Sequence, residues 1–404
     1  MSTTAKELTM KHRIVVLGAG YAGAITAGRL AKRLHRDDVE ITLVNADADF
    51  VERVRMHQLA TGQELRNRPL RTIFEGTGVH VRRARVTAVD AQRKTVAVTD
   101  ERGGATLDYD TLVYALGSAV ADFGVPGVAE YAHNVAGKHA ALRVRDRLAE
   151  LGAGARVLVV GGGLTAIEAA TEIAEARPDL TVAMVARGGV GDWLDEKAQR
   201  HLRTAFDRFG ITLHEGVAVT AVQADGVTTG AGGHLPAEMT IWTAGFAVHP
   251  IAAATTLEVS ESGQIVVDGT MRSVSHPDVY AVGDAARAIA IGGKALRMGC
   301  ATASPMAWQG ADALAARLTG RPVPEAPIGY RSQCISLGRR DAVVQEVTPE
   351  DEPKTKVVTG RMGARIKELI CTGAAWSVRH PTLMAPSRRR RIVVTAAAPA
   401  PAAG

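Results

Sequence analysis

At 404 residues the chain has material for about two to three domains, and 46% apolar with only 4% aromatic residues predicts a core of Ala, Val, Leu and Ile. The formal charge of +6 is local, because Arg388 to Arg391 carry four of the six charges, so no general basic face speaks for nucleic acid. Met1 to Arg13 lacks the apolar core of a signal peptide, no apolar run is long enough to span a bilayer, and Cys300, Cys334 and Cys371 are scattered without CxxC or metal-ligand spacing, which points to the cytoplasm.

Residues 13–20 read as a buried strand around Ile14-Val-Val-Leu17, and 22–35 as a helix with Ala, Ile and Leu on its inner side. Glu40-Ile-Thr-Leu-Val44 follows as a strand ending at Asn45, closing a βαβ unit of about thirty residues. Short strands are expected at Val79–Val86 and Thr95–Val98, then Thr111-Leu-Val-Tyr-Ala-Leu-Gly117. The plan restarts at Arg156 with a strand, a glycine loop, a helix to Ala176 and a strand from Leu180 to Ala186. It ends in Met239-Thr-Ile-Trp-Thr-Ala-Gly245. The predicted fold class is α/β, with two Rossmann-like dinucleotide-binding domains, the second inserted in the first, and a small C-terminal α+β region. The first domain takes 1–122 and 247–320, the inserted one 123–246, and the C-terminal region 321–380, with strands at Ser332–Gly338 and Ala342–Gln345. Residues 381–404, Arg-rich and then Ala/Pro-rich, are expected to be disordered.

Two glycine fingerprints carry the chemistry. The first comprises Gly18, Ala19, Gly20, Tyr21, Ala22 and Gly23; the second is Gly161-Gly-Gly-Leu-Thr-Ala166. Each follows an apolar strand and opens an Ala-rich helix, the context a dinucleotide site demands. Gly18 permits the turn, Gly20 and Gly163 let a pyrophosphate approach backbone N–H groups, and Gly23 lets helix pack on strand. The slot for a ribose-binding carboxylate holds Asn45, which either bonds a hydroxyl or merely ends its strand. In the second unit the corresponding slot is Ala186, followed by Arg187. Loss of the carboxylate and gain of an arginine lean toward NADPH, with a solvated loop arginine as the alternative. Ser304-Pro305 marks a helix start and Gly320 its end, giving either an ordinary surface helix or one aimed at what Asp284 binds. In Phe50-Val-Glu-Arg-Val-Arg-Met-His-Gln58, the residues Arg53, His57 and Gln58 either line a pocket, with His57 as a proton source, or belong to a solvated helix.

The order Gly18–Gly23, Leu116-Gly117, Gly161–Glu168, Trp242-Thr-Ala-Gly245 and Tyr280-Ala-Val-Gly-Asp284 resembles the two-dinucleotide flavoproteins of the pyridine nucleotide-disulfide oxidoreductase superfamily. Over residues 12–380 the chain is most similar to their type II NADH dehydrogenase branch, without the redox Cys-x4-Cys pair. The resemblance implies FAD on the first unit and NAD(P)H on the second. It implies that Gly283 and Asp284 hold the ribityl and phosphate part, Val86 the adenine, Ala301 the flavin ring, and that Glu168 lies by the nicotinamide and acceptor pocket. The branch's quinone-contacting Gln-x-x-x-Gln is replaced by Ser304 and Trp308. Its membrane-docking helices reduce to Met362–Ala375, with Ile366, Leu369 and Ile370 as apolar positions, a helix that either packs on its own domain or touches the inner face of a membrane. The expected activity is transfer of hydride from NAD(P)H to flavin and of electrons onward to a second acceptor. Quinone, a soluble carrier or metabolite, and a redox sensor without turnover are the alternatives.

Overall fold

The computed structural model describes residues 10–385 and 387–393. Strand β1 (His12–Leu17) buries Ile14-Val-Val-Leu17, mostly β-branched residues that suit extended backbone. It turns at Gly18, where φ is +91°, into helix α1 (Tyr21–Arg33). A Cβ on Gly18 would collide with the Ala115 carbonyl, and one on Gly23 with the Gly18 carbonyl, so the close strand-to-helix turn needs both glycines. Strand β2 (Val39–Asn45) pairs with β1, helix α2 (Met56–Ala60) follows a 3-10 turn at Arg53–Arg55, and β3 (Val79–Arg83) pairs with β2. A three-stranded antiparallel sheet occupies residues 85–108, after which β4 (Thr111–Tyr114) joins the free side of β1.

Strand β5 (Ser118–Val120) leads out to β6 (Ala132–His133), helix α3 (Lys138–Glu150), β7 (Arg156–Val160), α4 (Leu164–Ala176), β8 (Thr181–Ala186), β9 (Thr212–Glu215) and β10 (Met239–Trp242). Strand β11 (Phe246–Val248) leads back, antiparallel to β5, and β12 (Val279–Ala281) completes the first sheet. The strand orders are β12-β4-β1-β2-β3 and β9-β8-β7-β10-β6, parallel throughout. In each sheet the order reverses at the glycine-loop strand. A crevice therefore opens beyond the carboxyl ends of β1 and β4, and another beyond those of β7 and β10. The chain then forms helix α5 (Cys300–Leu318), an antiparallel sheet of β13 (Ser332–Ser336), β14 (Ala342–Val347) and β15 (Pro353–Thr359), and helix α6 (Gly360–Arg379). Met56, Leu59 and Ala60 share one apolar cluster with Val157, Ile167, Ile335 and Leu337, so the second sheet's core draws in α2 and the C-terminal sheet.

Two expectations are corrected. Helix α5 starts at Cys300, not Ser304: Gly299 is its N-cap, and Pro305 lies inside the helix. The Gly299 N–H donates to the Asp284 carboxylate at 2.8 Å, which fixes the earlier start. Pro305 then forfeits the helix bond its missing N–H would have made, and its ring crowds the Ala301 carbonyl. Residues beyond Pro381 are not all unstructured. Arg390 exchanges backbone hydrogen bonds with Arg33 and His35, Val393 N–H donates to Leu318, and Arg391 reaches Asp38 at 2.6 Å. The arginines that made the segment look like a solvated tail instead satisfy the carboxyl-terminal end of α1 and the acidic turn after it. Residues 386 and 394–404 lie outside the described residues. The three cysteines are free, Cys300 exposed, Cys334 half-buried and Cys371 buried.

Candidate active site

The first crevice gathers most of the residues singled out on the first unit. Gly20, the N-cap of α1, has φ −69°, and nothing lies within 4 Å of where its Cβ would be. No side chain caps α1 and no acidic residue stands in its first turn, so its free N–H groups face open space. Asp284 arrives from just beyond β12, next to Gly283, where a Cβ would press within 2.9 Å of Ala22. Its carboxylate accepts from Ser118 Oγ at 2.6 Å and from the Gly299 N–H at 2.8 Å. Arg53 donates to the Ser118 carbonyl at 3.0 Å and stands 3.9 Å from Asp284, beside Gly117. Ala301 is exposed in the first turn of α5, and Leu116 packs partly against the first core. Asn45 Oδ1 accepts from the Ala19 N–H at 2.9 Å and its amide donates to the Asp47 carbonyl. The side chain thus pins the glycine loop, keeping one lone pair and one hydrogen for a hydroxyl. Val86 lies two residues past Ala84, whose N–H bonds the Asn45 carbonyl. An open glycine cradle at an uncapped helix, with a carboxylate opposite, fits a dinucleotide.

The second crevice repeats the cradle. Gly161 has φ +135° and sits so close to Thr243 that a Cβ would come within 2.6 Å of its Oγ1. Gly163, the N-cap of α4, faces open space, and α4 again has neither a side-chain cap nor a first-turn acid. Ala166 is fully buried, so a methyl fits where the first loop needs Gly23. Arg187 is exposed just past β8 and makes no hydrogen bond or ion pair among the described residues. Gly245 follows β10 on the opposite wall.

The structure also brings His57 and Glu168 together, and adds two residues that sequence reasoning missed. Lys367 donates to Glu168 Oε1 at 2.6 Å and to the Cys334 carbonyl at 2.9 Å. Glu168 Oε1 also accepts from the Ser336 N–H and hydroxyl, both at 3.1 Å. His57 Nε2 lies 3.2 Å from Ser336 Oγ, and Nδ1 lies 3.7 Å from Glu168 Oε2. Burial pushes the Glu168 carboxyl up, but Lys367 and then His57 outweigh it, and the group ends below the usual carboxylate range. Burial likewise pulls Lys367 down, and Glu168 more than reverses it. Burial holds His57 below its ordinary value against the pull of Glu168, so its imidazole is neutral at neutral pH. The Ser336 hydroxyl has one hydrogen, which the ionised carboxylate takes, leaving Oγ to accept from His57 Nε2–H.

The missed lysine had a signal. Gly363, Lys367, Cys371 and Ala375 recur at four-residue spacing on α6; Gly363, Cys371 and Ala375 are buried and the Lys367 side chain is only 15% exposed. A ladder of small residues marks the face that packs, and a lysine on such a ladder needs a partner. The large apolar residues Leu369 and Ile370 point outward instead, with Leu369 72% exposed. Trp308, which stands where an amide was expected, packs against the first core with its indole N–H buried and unpartnered.

The chain belongs to the pyridine nucleotide-disulphide oxidoreductase family, which matches residues 12–313. It is 29% identical over 363 residues to an NADH dehydrogenase-like protein of Mycobacterium tuberculosis, covering 83% of this chain and 88% of that one. It is 26% identical over 401 residues to the type II NADH:quinone oxidoreductase of Staphylococcus haemolyticus, covering 91% and 96%. Among solved structures, NDH2 of Plasmodium falciparum with NADH superposes with a TM-score of 0.77 at 15% identity, over 93% of this chain and 97% of that one. An engineered NADPH oxidase bound to NADPH, derived from the NADH oxidase of Lactobacillus brevis, superposes at 0.69 with 21% identity, over 83% and 75%. Its substitutions include alanine for an aspartate and arginine for the alanine that follows. The protein is an FAD-dependent NAD(P)H oxidoreductase. FAD held at the first cradle and Asp284 would supply the hydride and electron transfer, while the chain supplies position and charge.

Proposed function

We propose that the second acceptor is a quinone, reduced beside the Glu168–Lys367 pair. The buried ammonium carries the reading. It is paired with Glu168 and held out of bulk water, where its remaining N–H favours negative charge arriving on an acceptor oxygen. Lys367 spends two of its three hydrogens on Glu168 and Cys334, which leaves one for an acceptor oxygen. His57, neutral and hydrogen-bonded through Ser336, is the proton-handling group of the cluster. The quinone named for the Staphylococcus relative supports the same class of acceptor.

A lipid-borne acceptor also suits the outward face of α6. Met362, Leu369 and Ile370 are exposed there, flanked by Arg361 and Arg365, and Met384 is 77% exposed just beyond the helix. Among the described residues no helix is long and apolar enough to cross a membrane, so contact would be peripheral. Arg389 and Arg391 do not contribute, being bound to Ala31 and to Asp37 and Asp38. The Ser304 and Trp308 positions favour a soluble acceptor instead. Anaerobic stopped-flow reduction, followed by mixing with a menaquinone analogue or a soluble carrier, separates the two. Fast reoxidation by the carrier alone would overturn the quinone reading.

On the donor side, we infer a preference for NADPH. Ala186 removes the carboxylate that would repel a 2′-phosphate, and Arg187 is free to pair with one. The engineered NADPH oxidase carries the same two residue types in the same order. Arg187→Ala is expected to weaken NADPH binding about tenfold or more, the worth of a charge-assisted hydrogen bond, and to leave NADH binding nearly unchanged. Equal losses for both in equilibrium titrations would refute the assignment.

A further inference from the structure

The exit from the first unit contains a conformational anomaly. After β5 the chain makes a tight turn over Asp122-Phe-Gly-Val125, closed by the Val125 N–H donating to the Asp122 carbonyl at 3.0 Å. Both central residues have positive φ, +52° at Phe123 and +68° at Gly124. That is the signature of a type I′ turn, whose central positions favour Asn, Asp and Gly. Gly124 obeys the rule. Phe123 does not: a bulky side chain in the left-handed region is a costly outlier.

Burial does not explain the phenylalanine, since Phe123 is 68% exposed. Its ring instead leans over Gly245, where a Cβ would fall 2.7 Å from Phe123 Cζ. Gly245 stands two residues beyond Thr243, the residue that touches Gly161 across the crevice between β7 and β10. The turn is held in place from the same wall, because Ala121 N–H donates to the Gly245 carbonyl at 3.1 Å and the Trp242 indole N–H donates to the Ala121 carbonyl at 2.8 Å. An exposed aromatic ring is thus fixed, at the expense of backbone strain, against the wall facing the second glycine cradle. Strain of this kind persists where the surroundings over-determine it, typically at a ligand.

We propose that Phe123 is a positioning residue for the nicotinamide coenzyme, forming the side wall against which the bound coenzyme packs. The inference rests on the second crevice being the NAD(P)H site. Gly245 must be glycine for the ring to lie there, which gives that residue its role.

Phe123→Gly and Phe123→Asn relieve the turn and remove the ring; Phe123→Tyr keeps the ring. The first two are expected to melt at or above the wild-type temperature with unchanged flavin content. Their calorimetric Kd for NADP+ and half-saturating NADPH concentration in anaerobic flavin reduction should rise about tenfold, the worth of an aromatic contact. The limiting reduction rate should change much less, and Phe123→Tyr should retain wild-type binding. A lower melting temperature with unchanged binding would make Phe123 a structural residue and overturn the proposal alone. A wild-type flavin that neither NADH nor NADPH reduces would overturn the coenzyme reading and this proposal together.

Discussion

Replacing Lys367 with methionine should destabilise the protein by about 3–5 kcal/mol at neutral pH, the usual effect of leaving a buried charge without its partner. Glu168 is the charge left behind, with its side chain only 11% exposed and its remaining hydrogen bonds both from Ser336. The double variant Lys367→Met with Glu168→Gln should recover most of the loss, because removing both charges also removes the desolvation penalty. The pH dependence gives a second check. In the wild type the folded Glu168 carboxyl lies below its ordinary value of 4.5, so its contribution is present above that value and is lost as pH falls through the lower folded one. Lys367 lies above its ordinary 10.5, so its contribution is present below that value and is lost only as pH rises through the higher folded one. The pair is therefore silent across neutral pH. In Lys367→Met, burial dominates Glu168 and raises it, so the single variant should gain stability as pH falls toward the acid range. Urea midpoints measured between neutral and mildly acidic pH test this; a flat profile would show that the carboxylate is hydrated rather than buried. Flavin reduction by NADPH should survive the substitution, while reoxidation by a menaquinone analogue should slow by roughly 10².

The second large effect separates two glycines two positions apart. Gly18→Ala places a Cβ at φ +91° against the Ala115 carbonyl, where both strain and backbone collision act. A loss of about 3 kcal/mol or more follows, seen as low soluble yield and an early melt. Gly20→Ala meets none of this, because φ is −69° and nothing lies within 4 Å. Its apoprotein should melt within about 0.5 kcal/mol of wild type, yet the methyl stands where a pyrophosphate must approach, so the protein should be isolated without flavin. Flavin absorbance and thermal melts on both variants decide the matter. Full flavin content in Gly20→Ala would place the pyrophosphate elsewhere.

Sequence reasoning reached the parts of this molecule that local rules control. The two strand–glycine–helix units are legible because φ and close approach restrict Gly18, Gly23 and Gly161 to one residue type. Asp284 is paired with the first loop across the whole second unit by the resemblance of the motif order to the two-dinucleotide flavoproteins, not by a local rule. The acceptor-side cluster was only half legible. His57 sat in a charged stretch that read equally well as solvated, and Ser336 and Lys367 come from elements far along the chain. Nothing local tells a serine at a strand end that it will meet a helix from another part of the fold. Helix α5 shows the opposite failure: a sound local rule for Ser-Pro lost to a tertiary bond from Gly299 to Asp284. The Arg-rich segment failed for the same reason, since its partners Asp37 and Asp38 lie more than 350 residues earlier.

Strands β5 and β11 run side by side, with Ala119 opposite Ala247 and Ser118 opposite Val248. The chain therefore leaves and re-enters the first unit at points about 5 Å apart. A two-residue hairpin turn would bridge that gap, and the same gap would accept another nucleotide module of matching ends. The donor half of the molecule is in this sense a cassette, but a graft that alters coenzyme choice must keep Glu168, which this module lends to the acceptor side. The graft must also offer an apolar surface to Met56, Leu59 and Ala60 and to Ile335 and Leu337 of the C-terminal sheet, which the present module keeps from water.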